Sequence, residues 1–239
     1  MKIQVFPADT RGSFRYGWLE ANYSFSFNRW YDPSRMNFGL LRVLNDDRVA
    51  PGGGFGTHPH DNMEIITIPL AGALEHRDST GTHGIIKAGD VQVMSAGTGI
   101  THSEMNASQQ EEVRLLQIWI FPEKDNVAPR YDQKSFPRET RQNQLLTIVS
   151  PDETDDALRI HQEAWLTLGA LKAGATVEYK THRPGHGLYA FLIDGSVQVA
   201  NGQAYTLQRR DAAGITDTEQ LTITAAQDSE LLLIEVPMH

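Results

Sequence analysis

Short apolar runs broken by glycine-rich turns recur along the whole chain, and none has the 3.6-residue rhythm of a long amphipathic helix. In the first half the runs predict strands over 40–44, 64–70, 73–77, 91–94 and 113–121. Between them lie Pro51-Gly52-Gly53-Gly54, Ala71-Gly72, Asp78-Ser79-Thr80-Gly81, Ala88-Gly89-Asp90 and Ala96-Gly97-Thr98-Gly99, the residues that tight turns favour. A second series is predicted over 145–149, 164–171, 176–179, 188–193, 196–199, 221–224 and 231–236, with Asn201-Gly202 as a hairpin turn before 204–207. Many short strands at this spacing indicate an all-β sandwich or barrel.

Between the two series, 122–143 holds Pro122, Pro129 and Pro137, many charges and few aliphatic residues, the composition of a connector. The expected organisation is therefore a first domain over 1–130, a linker over 131–150 and a second domain over 151–239. The two halves share a strand-Gly-strand pattern, seen at Leu70-Ala71-Gly72-Ala73 and Ile193-Asp194-Gly195-Ser196. The acidic run 152–156 reads as a solvated loop.

Composition narrows the chemistry. Acidic residues outnumber basic ones by 30 to 21, a net charge of −9, which disfavours direct contact with nucleic-acid phosphates. With no cysteine, any metal must be held by nitrogen and oxygen. No window approaches the roughly 18 apolar residues of a membrane span, and Met1 to Asp9 lack the apolar stretch of a signal peptide. A soluble, cytoplasmic chain with no membrane contact is expected.

Two polar clusters stand out against this background: His58-Pro59-His60 and His102-Ser103-Glu104. On a strand, residues i and i+2 share a face, so each cluster presents two metal donors to one side. Both follow glycine-rich turns that let the strands curve. Three imidazoles and one carboxylate suit a first-row divalent ion and leave coordination open to water or substrate. Glu64, an even four residues after His60, would face the same way on an unbroken strand, as a ligand or as a carboxylate orienting a histidine. Asn106 shares the face of Glu104. His182 and His186 lie in a turn-rich segment and read as solvated loop residues, and nothing in the second half repeats the His-x-His or His-x-Glu pairs. The aromatic cluster Trp18, Tyr23, Phe25, Phe27, Trp30 and Tyr31 reads as core packing or a lid.

The arrangement Gly52-x5-His58-x-His60-x3-Glu64, followed by Gly99-x2-His102-x3-Asn106, resembles the two motifs of the cupin superfamily. More narrowly, Gly54-Phe55-Gly56-Thr57-His58-Pro59-His60 and Met94-Ser95-Ala96-Gly97-Thr98-Gly99-Ile100-Thr101-His102-Ser103-Glu104 resemble the pirin family, including its bacterial members described as quercetin 2,3-dioxygenases. Ala71-Gly72 stands where the general cupin pattern has a single glycine, and the proline of the second motif is missing. The resemblance implies an all-β bicupin of two jelly-roll β-barrel domains (double-stranded β-helices), with one divalent ion in the first held by His58, His60, His102 and Glu104. It puts iron first, with copper, nickel, cobalt, manganese or zinc as alternatives. It further implies a dioxygenase that opens the heterocycle of flavonols such as quercetin, using dioxygen, with Glu104 or Glu64 accepting the substrate's hydroxyl proton. The alternative it implies is a metal-dependent co-regulator acting through a protein partner.

Overall fold

Nearly every apolar run becomes a strand in the computed structural model, which describes residues 1–153 and 156–239; Thr154 and Asp155, inside the acidic run, lie outside the described residues. The first strands are β1 (Lys2–Phe6), β2 (Gly12–Tyr16), β3 (Leu19–Tyr23), β4 (Leu41–Val49), β5 (Gly54–His60), β6 (Glu64–Ala71), β7 (Ala73–Asp78), β8 (His83–Lys87), β9 (Asp90–Ser95), β10 (Ile100–Asn106), β11 (Val113–Ile120) and β12 (Arg130–Ser135). After them come β13 (Leu145–Ser150), β14 (Leu158–Arg159), β15 (Trp165–Leu171), β16 (Thr176–Lys180), β17 (Gly187–Asp194), β18 (Ser196–Asn201), β19 (Gln203–Gln208), β20 (Ala212–Thr216), β21 (Gln220–Ala225) and β22 (Ser229–Val236).

Both halves follow one plan. In the first, a sheet ordered β12-β9-β6-β11-β4-β3-β2 accompanies a sheet ordered β5-β10-β7-β8; in the second, β1-β20-β17-β22-β15-β13-β14 accompanies β16-β21-β18-β19. The all-β, two-domain jelly-roll expectation holds, each domain being built from open sheets. No helix of the described residues is long and apolar enough to cross a membrane.

The central strands β6, β9, β17 and β22 are buried on both faces because both faces are covered. One face lines the interior of its own domain. The other joins a shared layer in which Ile66, Ile68 and Leu116 of the first half pack with Leu168, Phe191 and Ile234 of the second. This layer is the largest apolar cluster, so the halves are held together by core rather than by a tether.

The connector is shorter than the composition suggests. Arg130–Ser135 pairs along β9, and Leu145–Ser150 pairs along β15, leaving a crossing that contains the short 3-10 turn Arg138–Arg141. A charged strand between prolines suits a sheet edge, which charge protects from further pairing. At the other end of the chain, β1 leaves the first domain and pairs with β20 of the second.

Candidate metal centre

Strands β5, β10 and β7 lie side by side, and their registers assemble the polar pairs. His58 sits opposite His102, while on the other flank Asp78 sits opposite His102 and His76 opposite Glu104. The rings of His58 and His102 are 4.4 Å apart between centroids, and His60 is 4.9 Å from each. Donor atoms of His58, His60 and His102 lie within 4.8 Å of one another, as do those of a second set, His76, His102 and Glu104.

The nitrogens in this cluster are largely unpaired. His60 Nε2 and both ring nitrogens of His102 are buried without a hydrogen-bond partner. Leaving a buried polar atom unsatisfied costs about 1–3 kcal/mol, so several in one place fit a donor set for a cation. His58 Nδ1 lies 2.8 Å from the carbonyl of Gly56; donating there leaves its Nε2 as the bare nitrogen. Burial, reinforced by neighbouring imidazoles, lowers the pKa of His60 to about 4 and that of His102 to about 3. Both are therefore neutral donors at physiological pH.

A bulge sets the spacing. From His58 to Phe55, β5 uses three steps where β10 uses two from His102 to Glu104, so the extra residue curves β5 around the cluster. Gly54 ends the curve, and a Cβ there would lie 2.5 Å from the Glu104 carbonyl oxygen and 2.6 Å from Met105 Cα. Gly54→Ala is expected to push β5 from β10, costing about 1–3 kcal/mol of stability and weakening metal uptake. Thermal melts with and without added ion check this.

Glu104 is held from the facing sheet. Gln117 Nε2 donates to its Oε2 at 3.1 Å, and Thr67 Oγ1 lies 3.3 Å from its Oε1. The Thr67 hydroxyl has one proton and is closer to Gln117 Oε1, at 2.7 Å, which leaves Glu104 Oε1 weakly occupied. Gln92, Thr67 and Gln117 are neighbours across β9, β6 and β11, forming a polar row across the sheet. Burial raises the Glu104 pKa to about 7, opposed by the hydrogen bonds from Thr67 and Gln117.

The sign of the pH effect follows. Between roughly pH 4.5 and 7 the folded, metal-free protein keeps a proton on Glu104 that a carboxylate ligand must lose. Affinity for a divalent ion should rise as pH increases toward about 7, with Glu104 contributing about one released proton per ion at pH 6 and little well above 7. Calorimetry in buffers of different ionisation enthalpy measures this, and Glu104→Gln should lower the release at pH 6 by about one proton per ion.

Glu64 is not brought to this cluster. Asn62 adopts φ 42° between β5 and β6, which resets the strand phase, so the even spacing from His60 does not preserve the face. The buried Glu64 carboxylate instead accepts hydrogen bonds from Ser95 Oγ at 2.9 Å and from the backbone N–H of His161 at 3.3 Å, joining the two halves. Asn106 does share the face of Glu104, but its side-chain amide donates to the carbonyls of Val49, Ala50 and Glu111 and fixes a loop. His76 belongs to the cluster and escaped the motif reading, although His76-Arg77-Asp78 repeats the i, i+2 signal where a predicted strand meets its turn, a strand that in fact extends through Asp78.

The aromatic expectation divides. Trp119 stands edge-on to His60 at 4.9 Å and to Phe27 at 5.4 Å, making one wall of the site. Tyr23 packs in the first domain's interior, Phe25 joins the shared layer and Tyr31 is exposed. A hollow of about 410 Å³ beside His60 is lined by Pro59, Asp61, Ser79, Ile100 and Thr101. A larger one, about 810 Å³, lies on the second domain near His186 and Asn201. His182 and His186 are not free loop residues: both face the buried Glu235, at 2.9 and 3.3 Å.

Comparison with known proteins agrees with this architecture. Residues 6–120 match the pirin family model, and 147–236 match that of the quercetinase C-terminal cupin domain. The chain is 45% identical to a putative quercetin 2,3-dioxygenase of Pseudomonas aeruginosa, with 98% of this chain and 99% of the relative covered. It is 41% identical to the quercetin 2,3-dioxygenase of Escherichia coli K12 over the same shares of both chains. A crystal structure of a bacterial pirin from Escherichia coli in complex with nickel(II) superposes with a TM-score of 0.92 at 38% identity, covering 99% of each chain. Full-length identity of this order, carried by two cupin domains in the same sequence, makes the chain a member of the pirin family.

Proposed function

We propose that His58, His60, His102 and Glu104 hold one divalent transition-metal ion, and that the site cleaves the heterocycle of flavonols such as quercetin with dioxygen. The observation that carries this reading is the cluster of unpaired buried nitrogens on His60 and His102, with Glu104 grouped beside His102, in a chain whose full-length relatives are named quercetin 2,3-dioxygenases. Imidazole and carboxylate donors suit iron, nickel, cobalt, copper, manganese or zinc.

When bound, the ion supplies Lewis acidity that favours the ionised form of a substrate hydroxyl. The rest falls to the chain. Glu104, its Oε2 fixed by Gln117, is placed to take the flavonol hydroxyl proton on the weakly occupied Oε1. Glu64 has no part in this, since its carboxylate faces Ser95 and the second domain. Trp119, Phe27 and Met63 give the site apolar surface for a flat aromatic substrate and keep water from it. Cleavage then consumes one dioxygen and releases one carbon monoxide per flavonol.

Aerobic incubation of metal-loaded protein with quercetin tests the reading. Loss of flavonol absorbance, stopped by chelation, is expected. No loss with any of iron, copper, nickel, cobalt or manganese would remove it.

A further inference from the structure

Asp78 is the acceptor for four donors: Thr80 N–H at 2.8 Å, Thr82 N–H at 3.1 Å and the Thr80 hydroxyl at 2.6 Å on Oδ1, and His76 Nε2 at 3.0 Å on Oδ2. A carboxylate has no proton to give, so His76 donates through Nε2 and its proton is fixed there. The other nitrogen, Nδ1, then has a bare lone pair. That atom is buried and has no hydrogen-bond partner. The ring cannot turn away easily, because Tyr131 lies against it with centroids 4.5 Å apart, and His102 is 5.3 Å away on another side.

From this we infer that His76 is a further metal donor, acting through Nδ1 from the inner side of the site. Its set with His102 and Glu104 overlaps the outer set of His58, His60 and His102, and the two share His102. The inner set contains the anion and the outer set is neutral. Asp78 is a positioning residue: it fixes the tautomer that leaves Nδ1 free, the role that carboxylates play behind metal-binding imidazoles. The ligand class is a first-row divalent cation. This inference rests on the metal-site reading above.

The test uses cobalt(II) as the probe, with affinity read by chelator competition and imidazole number by X-ray absorption. His76→Phe keeps a ring against Tyr131 and removes the donor. In Asp78→Asn, the Thr80 and Thr82 N–H groups hold the amide oxygen in the Oδ1 position, so the amide NH2 faces His76 Nε2 and moves the ring proton to Nδ1. Both variants should bind cobalt(II) about 10–100-fold more weakly than the parent, with one imidazole fewer. Unchanged affinity and imidazole number in both variants would overturn the role of His76 and leave the outer site standing. A parent protein that binds no cobalt(II) would overturn both readings.

Discussion

Replacing His102 by alanine is expected to abolish metal uptake and flavonol cleavage while leaving the fold in place. His102 sits at the centre of the three-strand array and belongs to both donor sets, so no rearrangement of the others restores a full set. Removing a group that only orients a ligand already costs about 10–100-fold in affinity, and losing a shared ligand should cost more. Stability should change little in the metal-free state. The vacated volume destabilises, but the parent buries two unpaired ring nitrogens there, each worth about 1–3 kcal/mol, and alanine removes both. Calorimetric titration and a thermal melt separate the two effects. Parent-like affinity in His102→Ala would place the ion elsewhere.

Phe191→Ala should give the largest loss of stability, about 3–5 kcal/mol. The ring is fully buried on β17 and belongs to the layer shared by both halves, with the Arg11 guanidinium 5.7 Å from its centroid. Because that layer is built from both large sheets, a cavity there weakens both domains together. Urea unfolding should therefore shift to lower midpoint as one transition, with an unchanged slope. Trp119 lies in the first half and Trp165 in the second, so fluorescence reports on both. Two separated transitions would show that the halves unfold independently. Ile85→Ala, on a side chain 56% exposed, serves as a control and should move stability by no more than about 0.5 kcal/mol.

Legibility in the sequence followed the physics of each element. Strands β6, β17 and β22 were readable because burial on both faces leaves long, mostly apolar runs. Strand β12 was not, since an edge strand rich in charge between prolines has the composition of a linker. β3 does alternate apolar and polar residues over Leu19–Tyr23, but its residues were grouped with the aromatic cluster, and β2 has no apolar run to mark it.

The same contrast holds in the site. His58, His60, His102 and Glu104 were visible as i, i+2 pairs, a relation that survives any strand twist. Glu64 was misplaced because one left-handed residue, Asn62, changes which face an even offset reaches. His76 needed the pairing register of β7 with β10, which only the fold reveals. The supporting row of Gln92, Thr67 and Gln117 did leave a trace: a polar residue flanked by apolar ones in each strand, whose meaning depends on their being neighbours across the sheet.

The count of metal ions per chain tests the central claim most directly. Protein purified and then incubated with first-row divalent ions should hold one ion per chain, lose it to a chelator, and hold none when His102 is alanine. A parent protein that binds no such ion, as purified or after incubation, would contradict the account.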